Sequence, residues 1–311
     1  MVFLETLLPI FAVIALGWLI VRSGYLGADV VAPAGQIVVR VALPAVIFLA
    51  LATTRVQDTF DPGFLLAYAV GSLAVMGICF GIARQALGLS LPVASVVALG
   101  VSMANSGFLG FPIGQALLGA DAAIRVFAHC LIVENLVILP IALTLLALAG
   151  DDGVASLRTR LARDVLRNPL MIALVAGGAV SALGASLPAP AQSALDLLAR
   201  MSAPLALLVI GGMLASLPAT GSVRAVALVV GGKLVLHPLA VGAGVLLVPG
   251  VSPVMAAGGV LFAAMPMITI FPLLATRVGQ ARFAAFGLLV ATLGGFITLQ
   301  FVIFGLGLAQ P

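Results

Sequence analysis

Long apolar runs separated by short polar segments follow one another along the whole chain. A membrane-crossing helix needs about 20 mostly apolar residues, and ten runs meet this requirement. They cover residues 3–21, 34–52, 63–83, 94–118, 124–149, 168–186, 195–215, 223–248, 254–277 and 282–307. Only helices and closed barrels satisfy all backbone hydrogen bonds in lipid, and these runs lack the alternation of barrel strands. The pattern predicts an all-α polytopic membrane protein with ten transmembrane helices.

The composition supports a membrane environment and excludes a nucleic-acid partner. Hydrophobic residues make up 63% of the chain, charged residues 8%, and the mean hydropathy is +1.32, whereas soluble domains carry about 25% charged residues. A net charge of +4 and an aromatic content of 6% supply neither a basic patch nor a stacking platform for nucleic acid. Cys79 and Cys130 lie deep in apolar runs without partners at metal-ligand spacing. We therefore expect two inert thiols, no metal and no cofactor.

Basic residues near the ends of the runs predict the orientation. Arg55 and Arg125 fall on one side of the membrane, and nine arginines fall on the other. The nine are Arg22, Arg84, Arg158, Arg160, Arg163, Arg167, Arg224, Arg277 and Arg282. Because basic residues accumulate in cytoplasmic loops, this split places the loop at residues 151–167 in the cytoplasm. Both termini are then outside, in a multi-pass protein of the inner cell membrane.

The same loop divides the ten runs five and five, and the two halves repeat. A shift of 160 positions superposes Pro9 on Pro169, Pro44 on Pro204, Pro112 on Pro272, Gly17 on Gly177, Gly24 on Gly184, Gly71 on Gly231 and Gly119 on Gly279. Since five is odd, the second copy enters the membrane from the opposite side. The sequence predicts an inverted repeat of residues 1–150 and 168–311, an architecture that recurs in secondary transporters.

Two runs are interrupted by Pro, Gly and polar residues at equivalent positions of the halves. They are VSMANSGFLGFPIG at 101–114 and LFAAMPMITIFPLLA at 261–275. Pro removes a backbone donor and Gly leaves helical dihedrals, so the freed backbone groups must line a polar cavity or be buried in protein. The N-terminal end of a half-helix attracts an anion. The alternative is a Pro-kinked helix that packs closely through Gly110 and Gly114.

Ionisable residues within membrane spans are candidates for function because their burial is costly. Glu134, followed by Asn135, is the candidate coupling group for a proton or Na⁺; the alternative is a protonated Glu that only bridges helices. Lys233 either balances the charge of Glu134 or of an anionic substrate, or snorkels to the interface. His237, one turn further on, either packs between helices with one hydrogen bond or relays a proton.

Two repeat-related arginines, Arg40 and Arg200, precede Pro44 and Pro204 by four residues. Either they attract an anion into a vestibule or they snorkel to the interface. Asp196 is four residues before Arg200, which favours an ion pair and a structural role there.

The order of several blocks resembles the auxin efflux carrier family, including its bacterial members described as malonate or other carboxylate transporters. The blocks are LPIFAVIALGWLI, RVALPAVIFLALA, ANSGFLGFPIG, RNPLMIAL, SAPLALLVIGGML, KLVLHPLA and AAMPMITIFPLLA, and they extend over essentially the whole chain. The most specific is the N-x-G-x-x-G-x-P core, here Asn105, Gly107, Gly110 and Pro112.

The resemblance implies fourth and ninth helices that are broken and cross each other. It implies a scaffold domain of helices 1, 2, 6 and 7 and a moving transport domain of helices 3, 4, 5, 8, 9 and 10. The expected action is elevator-type transport of a small organic anion, such as malonate or an auxin-like acid, whose carboxylate is held at the crossing. The candidate binding residues are Asn105, Ser106, Gly107, Gly110, Pro112, Pro266, Thr269 and Pro272. A homodimer through the scaffold is a further expectation.

One departure concerns the second interruption, where many relatives carry an Asn shortly after the Pro. Here only Thr269 offers a polar side chain, which puts substrate contacts inferred from a paired Asn in doubt. An intramembrane enzyme is disfavoured, since neither His is followed by Glu and no G-x-S-x-G occurs. A channel, or a sensor that does not transport, stays open as the alternative function.

Overall fold

The computed structural model describes residues 2–53, 60–150, 167–216 and 222–308. Within these ranges every regular element is a helix, and the β-type pairing found there is one isolated bridge. The continuous helices are α1 (Val2–Arg22), α2 (Ala28–Thr53), α3 (Pro62–Ala86), α4 (Leu91–Ser102), α5 (Ser106–Leu118), α6 (Ala120–Ala149), α7 (Pro169–Ala182), α8 (Ala189–Ala215), α9 (Val223–Leu247), α10 (Pro253–Ala263), α11 (Phe271–Ala275) and α12 (Ala281–Gly305). The prediction of an all-helical fold is confirmed for these residues.

Helix length and hydropathy identify a protein that crosses the membrane several times. Six of the described helices, α2, α3, α6, α8, α9 and α12, have 25 to 30 residues and enough apolar character to span a bilayer. The remaining apolar helices are shorter, and α4, α5 and α10 lie beside the two interruptions. The number of crossings, and with it the inverted repeat of residues 1–150 and 168–311, stays a prediction. Arg55 and residues 151–166 of the predicted cytoplasmic loop lie outside the described residues.

Four of the helices widen for one turn immediately before a proline. In each case the N–H of the residue before the proline bonds to the carbonyl five residues back, as from Leu139 to Glu134 and from His237 to Gly232. The other two turns are Val38–Ala42 and Ser106–Gly110. A proline inside a helix lacks its N–H and collides with the preceding turn, and a widened turn relieves this collision. Two of the widened turns carry Glu134 and Lys233.

Glycines bring several pairs of helices into backbone contact, and two of these pairs involve α1, α2, α7 and α8. Gly17 of α1 and Gly211 of α8 leave no room for a side chain at their crossing. A Cβ on Gly177 of α7 would lie 2.8 Å from the carbonyl oxygen of Phe48 in α2. Because small residues are the means by which helix backbones approach each other in membranes, these contacts join α1 to α8 and α2 to α7.

A glycine pair in α7 tests this packing. Gly177→Ala should lower the apparent midpoint of thermal unfolding, since overpacking costs about 1–3 kcal/mol. Gly178→Ala is the matched control because a Cβ there meets open space. Unfolding can be followed in detergent by the reaction of a thiol dye with the buried Cys79 and Cys130. Equal midpoints for the two variants would contradict the close contact between α2 and α7.

Candidate functional site

The two interruptions pair with each other in the interior of the protein. Helix α4 ends at Ser102 and α5 begins at Ser106, while α10 ends at Ala263 and α11 begins at Phe271. Between these ends the chain leaves the helical conformation, and Ala104 and Met267 form an antiparallel bridge. The N–H of Asn105 donates to the carbonyl of Pro266 at 2.8 Å, and the N–H of Ile268 donates to that of Met103 at 3.3 Å. Part of the freed backbone is therefore used to join the segments.

A cavity of about 430 Å³ lies beside this junction. Its polar lining consists of Asn105, Ser106, Glu134, Asn135, Asn168 and Thr269. Most of the remaining wall is apolar, and includes Leu43, Phe108, Phe127, Leu131, Leu143 and Leu274. The exposed side chains of Arg167 and Arg277 also line it. The wall of the cavity is thus mostly apolar, with a few polar groups and two cationic side chains.

Two polar side-chain atoms in this cavity are buried and have no hydrogen-bond partner. They are Nδ2 of Asn105 and Oγ1 of Thr269. The Oδ1 atom of Asn105 is occupied, because it accepts the N–H of Phe108 at 3.3 Å and so caps the widened turn that opens α5. A buried polar atom without a partner costs about 1–3 kcal/mol. A ligand that accepts hydrogen bonds would remove this cost at both positions.

Glu134 lies in the same wall and is bound to the first interruption. Its carboxyl group is buried, and its Oε1 accepts the hydroxyl of Ser106 at 2.7 Å and that of Tyr68 at 3.1 Å. Ser106 is the first residue of α5, so the carboxyl group and the start of that helix are held together. Any change in the charge of Glu134 changes the strength of this hydrogen bond, because charged acceptors bind hydroxyls more strongly.

Asn135 uses both of its polar atoms within the protein. Its Nδ2 donates to the carbonyl of Leu131 at 2.9 Å, and its Oδ1 accepts from Nδ2 of Asn168 at 2.9 Å. Asn168 caps α7 by accepting the N–H of Leu170 at 3.0 Å. The predicted ion-coupling residue Asn135 therefore serves as a bridge between α6 and the beginning of α7.

Lys233 is completely buried and does not reach the membrane surface, contrary to the snorkelling alternative. Its Nζ lies 2.6 Å from Nδ1 of His237. His237 has two more partners, the hydroxyl of Ser72 at 2.8 Å and the carbonyl of Ala263 at 3.1 Å. The prediction that His237 makes one hydrogen bond is wrong, because α3, α9 and the end of α10 all meet at its ring.

The remaining predicted residues divide between the cavity and the packing around it. Gly107 lines the cavity, and Pro266 provides the carbonyl that accepts from Asn105. Gly110 instead packs against Phe262, whose ring lies 3.0 Å from the position of a Cβ. Pro112 follows the widened turn in the middle of α5, and Pro272 is the second residue of α11. Close packing through Gly110 is thus the structural role that the alternative interpretation proposed.

A second cavity of about 820 Å³ is lined by residues from α2, α5, α6 and α8. Arg125, Asp196 and Arg200 belong to its wall. The predicted pair forms, with 2.7 Å between Nε of Arg200 and Oδ2 of Asp196. Arg40 is exposed.

Comparison with known proteins supplies the family. A model of the membrane transport protein family, which includes the auxin efflux carriers, matches residues 2–159. The chain belongs to this family. A protein of Rhizobium meliloti (strain 1021) with the name "Putative malonate transporter" is 28% identical over 264 residues, which are 84% of this chain and 82% of the relative. An "Uncharacterized transporter" of Methanothermobacter thermautotrophicus (strain ATCC 29096 / DSM 1053 / JCM 10044 / NBRC 100330 / Delta H) is 24% identical over 121 residues, 39% of this chain and 40% of the relative.

Three polar residues around the site of this membrane transport protein were missed by sequence reasoning. Tyr68 and Ser72 bind Glu134 and His237, and Asn168 binds Asn135. A signal for the first two was available, since they stand four residues apart in an apolar run and therefore share one face of a helix. Asn168 stands just before a proline, where it was visible only as a helix cap.

Two threonines test the unpaired hydroxyl in the cavity. Thr269→Val should raise the apparent unfolding midpoint of the ligand-free protein, because it removes a buried hydroxyl without a partner. Thr292→Val should lower it slightly, because the Thr292 hydroxyl donates to the carbonyl of Leu288 at 2.7 Å. Both side chains are buried, so the substitutions are matched. Shifts in the same direction would contradict the assignment at Thr269.

Proposed function

We propose that the protein is a secondary active transporter of a small organic anion, which binds where the two interruptions meet. The observation that carries this proposal is the pair of unpaired buried groups, Nδ2 of Asn105 and Oγ1 of Thr269, in one cavity beside Glu134. Both groups donate hydrogen bonds, and a carboxylate only accepts them. Membership of a membrane transport family supports transport as the activity.

The substrate class that we propose is a carboxylate whose remaining carbon skeleton is small. The apolar wall accommodates the carbon skeleton of the substrate, and the exposed arginines Arg167 and Arg277 attract negative charge to the cavity. A volume of about 430 Å³ is at the lower end of the range for small-molecule sites, which fits malonate as well as an auxin-like acid. The name of the Rhizobium meliloti relative supports a dicarboxylate of the first kind.

The proposed architecture has ten spans in two inverted halves. Helices α4 and α5 count as the fourth span, and α10 and α11 as the ninth, each broken at its interruption. Under the exchange of halves the contact of α1 with α8 corresponds to that of α7 with α2, and both are backbone contacts through glycine. This correspondence supports a scaffold of α1, α2, α7 and α8 that carries the other helices, and a homodimer through that scaffold stays a prediction.

Elevator-type alternating access is the proposed mechanism. The smaller cavity includes Arg167 and Arg277, which the arginine distribution assigns to the cytoplasm, and the larger includes Arg125, which it assigns to the outside. Alternating access requires the substrate site to open to one side at a time, and the site residues line the smaller cavity and not the larger one. Asn135 and Asn168 lie on either side of the proposed boundary between moving and fixed helices, so their hydrogen bond must break during transport.

Transport and channel activity give different results in vesicles. We expect purified protein in proteoliposomes to take up radiolabelled malonate or indole-3-acetate with saturation, and to show counterflow when the vesicles are loaded with the unlabelled anion. Flux that neither saturates nor shows counterflow would identify a channel. Binding without any flux would identify a sensor.

Asn105 is the residue on which substrate binding depends most directly. Asn105→Ala should weaken anion binding by about 1–3 kcal/mol, which is a rise of about 5- to 150-fold in Kd. Asn105→Asp keeps the shape and adds a negative charge, so it should abolish binding. Both effects can be measured by titrating the ligand-induced shift of the unfolding midpoint, with Thr292→Val as the control. An unchanged Kd in Asn105→Ala would remove this residue from the site.

Glu134 is the proposed coupling group, because its carboxyl group is buried between the cavity and Ser106. Glu134→Gln keeps the size of the side chain and removes its charge. We expect uptake by this variant to become independent of an imposed proton or Na⁺ gradient, while counterflow shows whether substrate exchange continues. Full gradient-driven uptake would show that Glu134 only bridges helices.

A further inference from the structure

Lys233 and His237 form a buried pair whose hydrogen bonds conflict. Neither side chain is exposed to solvent. One ring nitrogen, Nδ1 of His237, lies 2.6 Å from Nζ of Lys233 and 3.1 Å from the carbonyl oxygen of Ala263. A lysine ammonium only donates hydrogen bonds, and a carbonyl only accepts them. A single ring nitrogen cannot accept from the first and donate to the second at the same time.

Two distributions of protons resolve this conflict, and each of them satisfies one of the two contacts of Nδ1. In the first, Lys233 is an ammonium that donates to Nδ1, and the proton of the ring is on Nε2, which donates to Oγ of Ser72. In the second, Lys233 is a neutral amine, Nδ1–H donates to the carbonyl of Ala263, and the Ser72 hydroxyl donates to Nε2. The second state holds one proton fewer than the first. A change from the first state to the second therefore releases a single proton.

The second histidine of the chain shows no such conflict. Nε2 of His129 accepts the backbone N–H of Asp61 at 3.0 Å, and its Nδ1 donates to the carbonyl of Arg125 at 2.7 Å. One neutral tautomer satisfies both contacts. Since the same chain provides a histidine with a fixed tautomer, the ambiguity at His237 is a property of its surroundings.

The surroundings of the pair contain groups that can balance its charge. Tyr68 of α3 has its ring centroid 5.9 Å from that of His237, and its hydroxyl donates to Glu134. From α6, the titratable groups near Lys233 are Glu134 and Cys130. Cys79 of α3 faces Gly232 beside Lys233. A buried ammonium is costly in a membrane, and the carboxylate of Glu134 reduces that cost.

Ala263 connects the pair to the substrate site. It is the last residue of α10, and Pro266, three positions on, accepts the N–H of Asn105 at 2.8 Å. A gain or loss of the bond from His237 to Ala263 therefore acts at the end of α10, three residues before the Pro266 carbonyl that binds the N–H of Asn105. Glu134 acts on the other interruption through Ser106.

We propose that Lys233 and His237 form a proton-binding site, separate from Glu134, whose occupancy controls the hydrogen bond from His237 to Ala263 and thereby the second interruption. The inference rests on the proposed function, for which it names the proton as the coupling ion. When the site is protonated, the carbonyl of Ala263 is released from His237. When the proton leaves, the ring of His237 holds the end of α10.

The tautomer of His237 tests the proposal without any transport. Protein labelled with ¹⁵N-histidine is reconstituted in lipid, and solid-state NMR follows both rings from about pH 5 to about pH 9, the range in which histidine sites titrate. His129→Gln assigns the two sets of signals. His129 should keep its proton on Nδ1, while His237 should change from Nε2–H to Nδ1–H as the pH rises. In Lys233→Met, His237 should remain Nδ1–H throughout.

A His237 tautomer that does not change with pH in the unmodified protein would overturn the proposal. So would a pH-dependent change that persists in Lys233→Met. Neither outcome depends on the identity of the substrate. The proton site is therefore decided even if the protein transports no organic anion.

The second arm measures protons moved per malonate in vesicles that contain a pH dye. In Lys233→Met this ratio should fall below that of the unmodified protein, because one of the proton-binding groups is lost, whereas Thr292→Val should keep the value of the unmodified protein. An unchanged ratio in Lys233→Met would exclude the pair from coupling, although the organic-anion transporter itself would stand. The absence of saturable malonate or indole-3-acetate flux in the unmodified protein would count against the proposed function, and the NMR result would still decide the proton site.

Discussion

The hydrogen bonds between the two interruptions are the constraint on which the rest of the structure depends. Backbone N–H and C=O groups without partners are very costly inside a membrane protein. Helices α4 and α10 both end in the interior, at Ser102 and Ala263, and the extended segments that follow bond to each other. Because two N–H groups of these segments find acceptors across the junction, the cost of leaving the helical conformation here is reduced.

Some side-chain atoms at this junction are left without a hydrogen-bond partner and can bind a ligand. The N–H of Asn105 is taken by Pro266 and its Oδ1 by Phe108, which leaves Nδ2 for a ligand. Thr269 contributes a second free donor, its hydroxyl. Each interruption thus offers one hydrogen-bond donor at the junction. The apolar wall around both raises the strength of any bond that they form.

Prolines position the ionisable side chains. Pro140 and Pro238 each follow a widened turn, and these turns carry Glu134 with Asn135 and Lys233. An i→i+5 turn rotates the residues after it relative to those before it. Glu134 in the first of these turns faces Ser106, and Lys233 in the second faces His237. The same distortion that accommodates a proline provides the geometry of two buried polar clusters.

Lipid makes the sequence highly informative about the fold and much less informative about the site. The apolar runs predicted helices such as Pro62–Ala86 and Val223–Leu247 to within a few residues, because a bilayer demands both length and apolar character. The interruptions at Asn105 and Pro266 were visible for the same reason. The partners of the polar residues were not. The rotation of each helix and the helices that it crosses decide these contacts. They decide whether Lys233 reaches an interface or a histidine, whether Gly110 lines a cavity or packs on Phe262, and which hydroxyls bind Glu134. Local sequence determines that a polar group must be satisfied; only the tertiary packing decides by which neighbour, since the neighbours come from helices far apart along the chain.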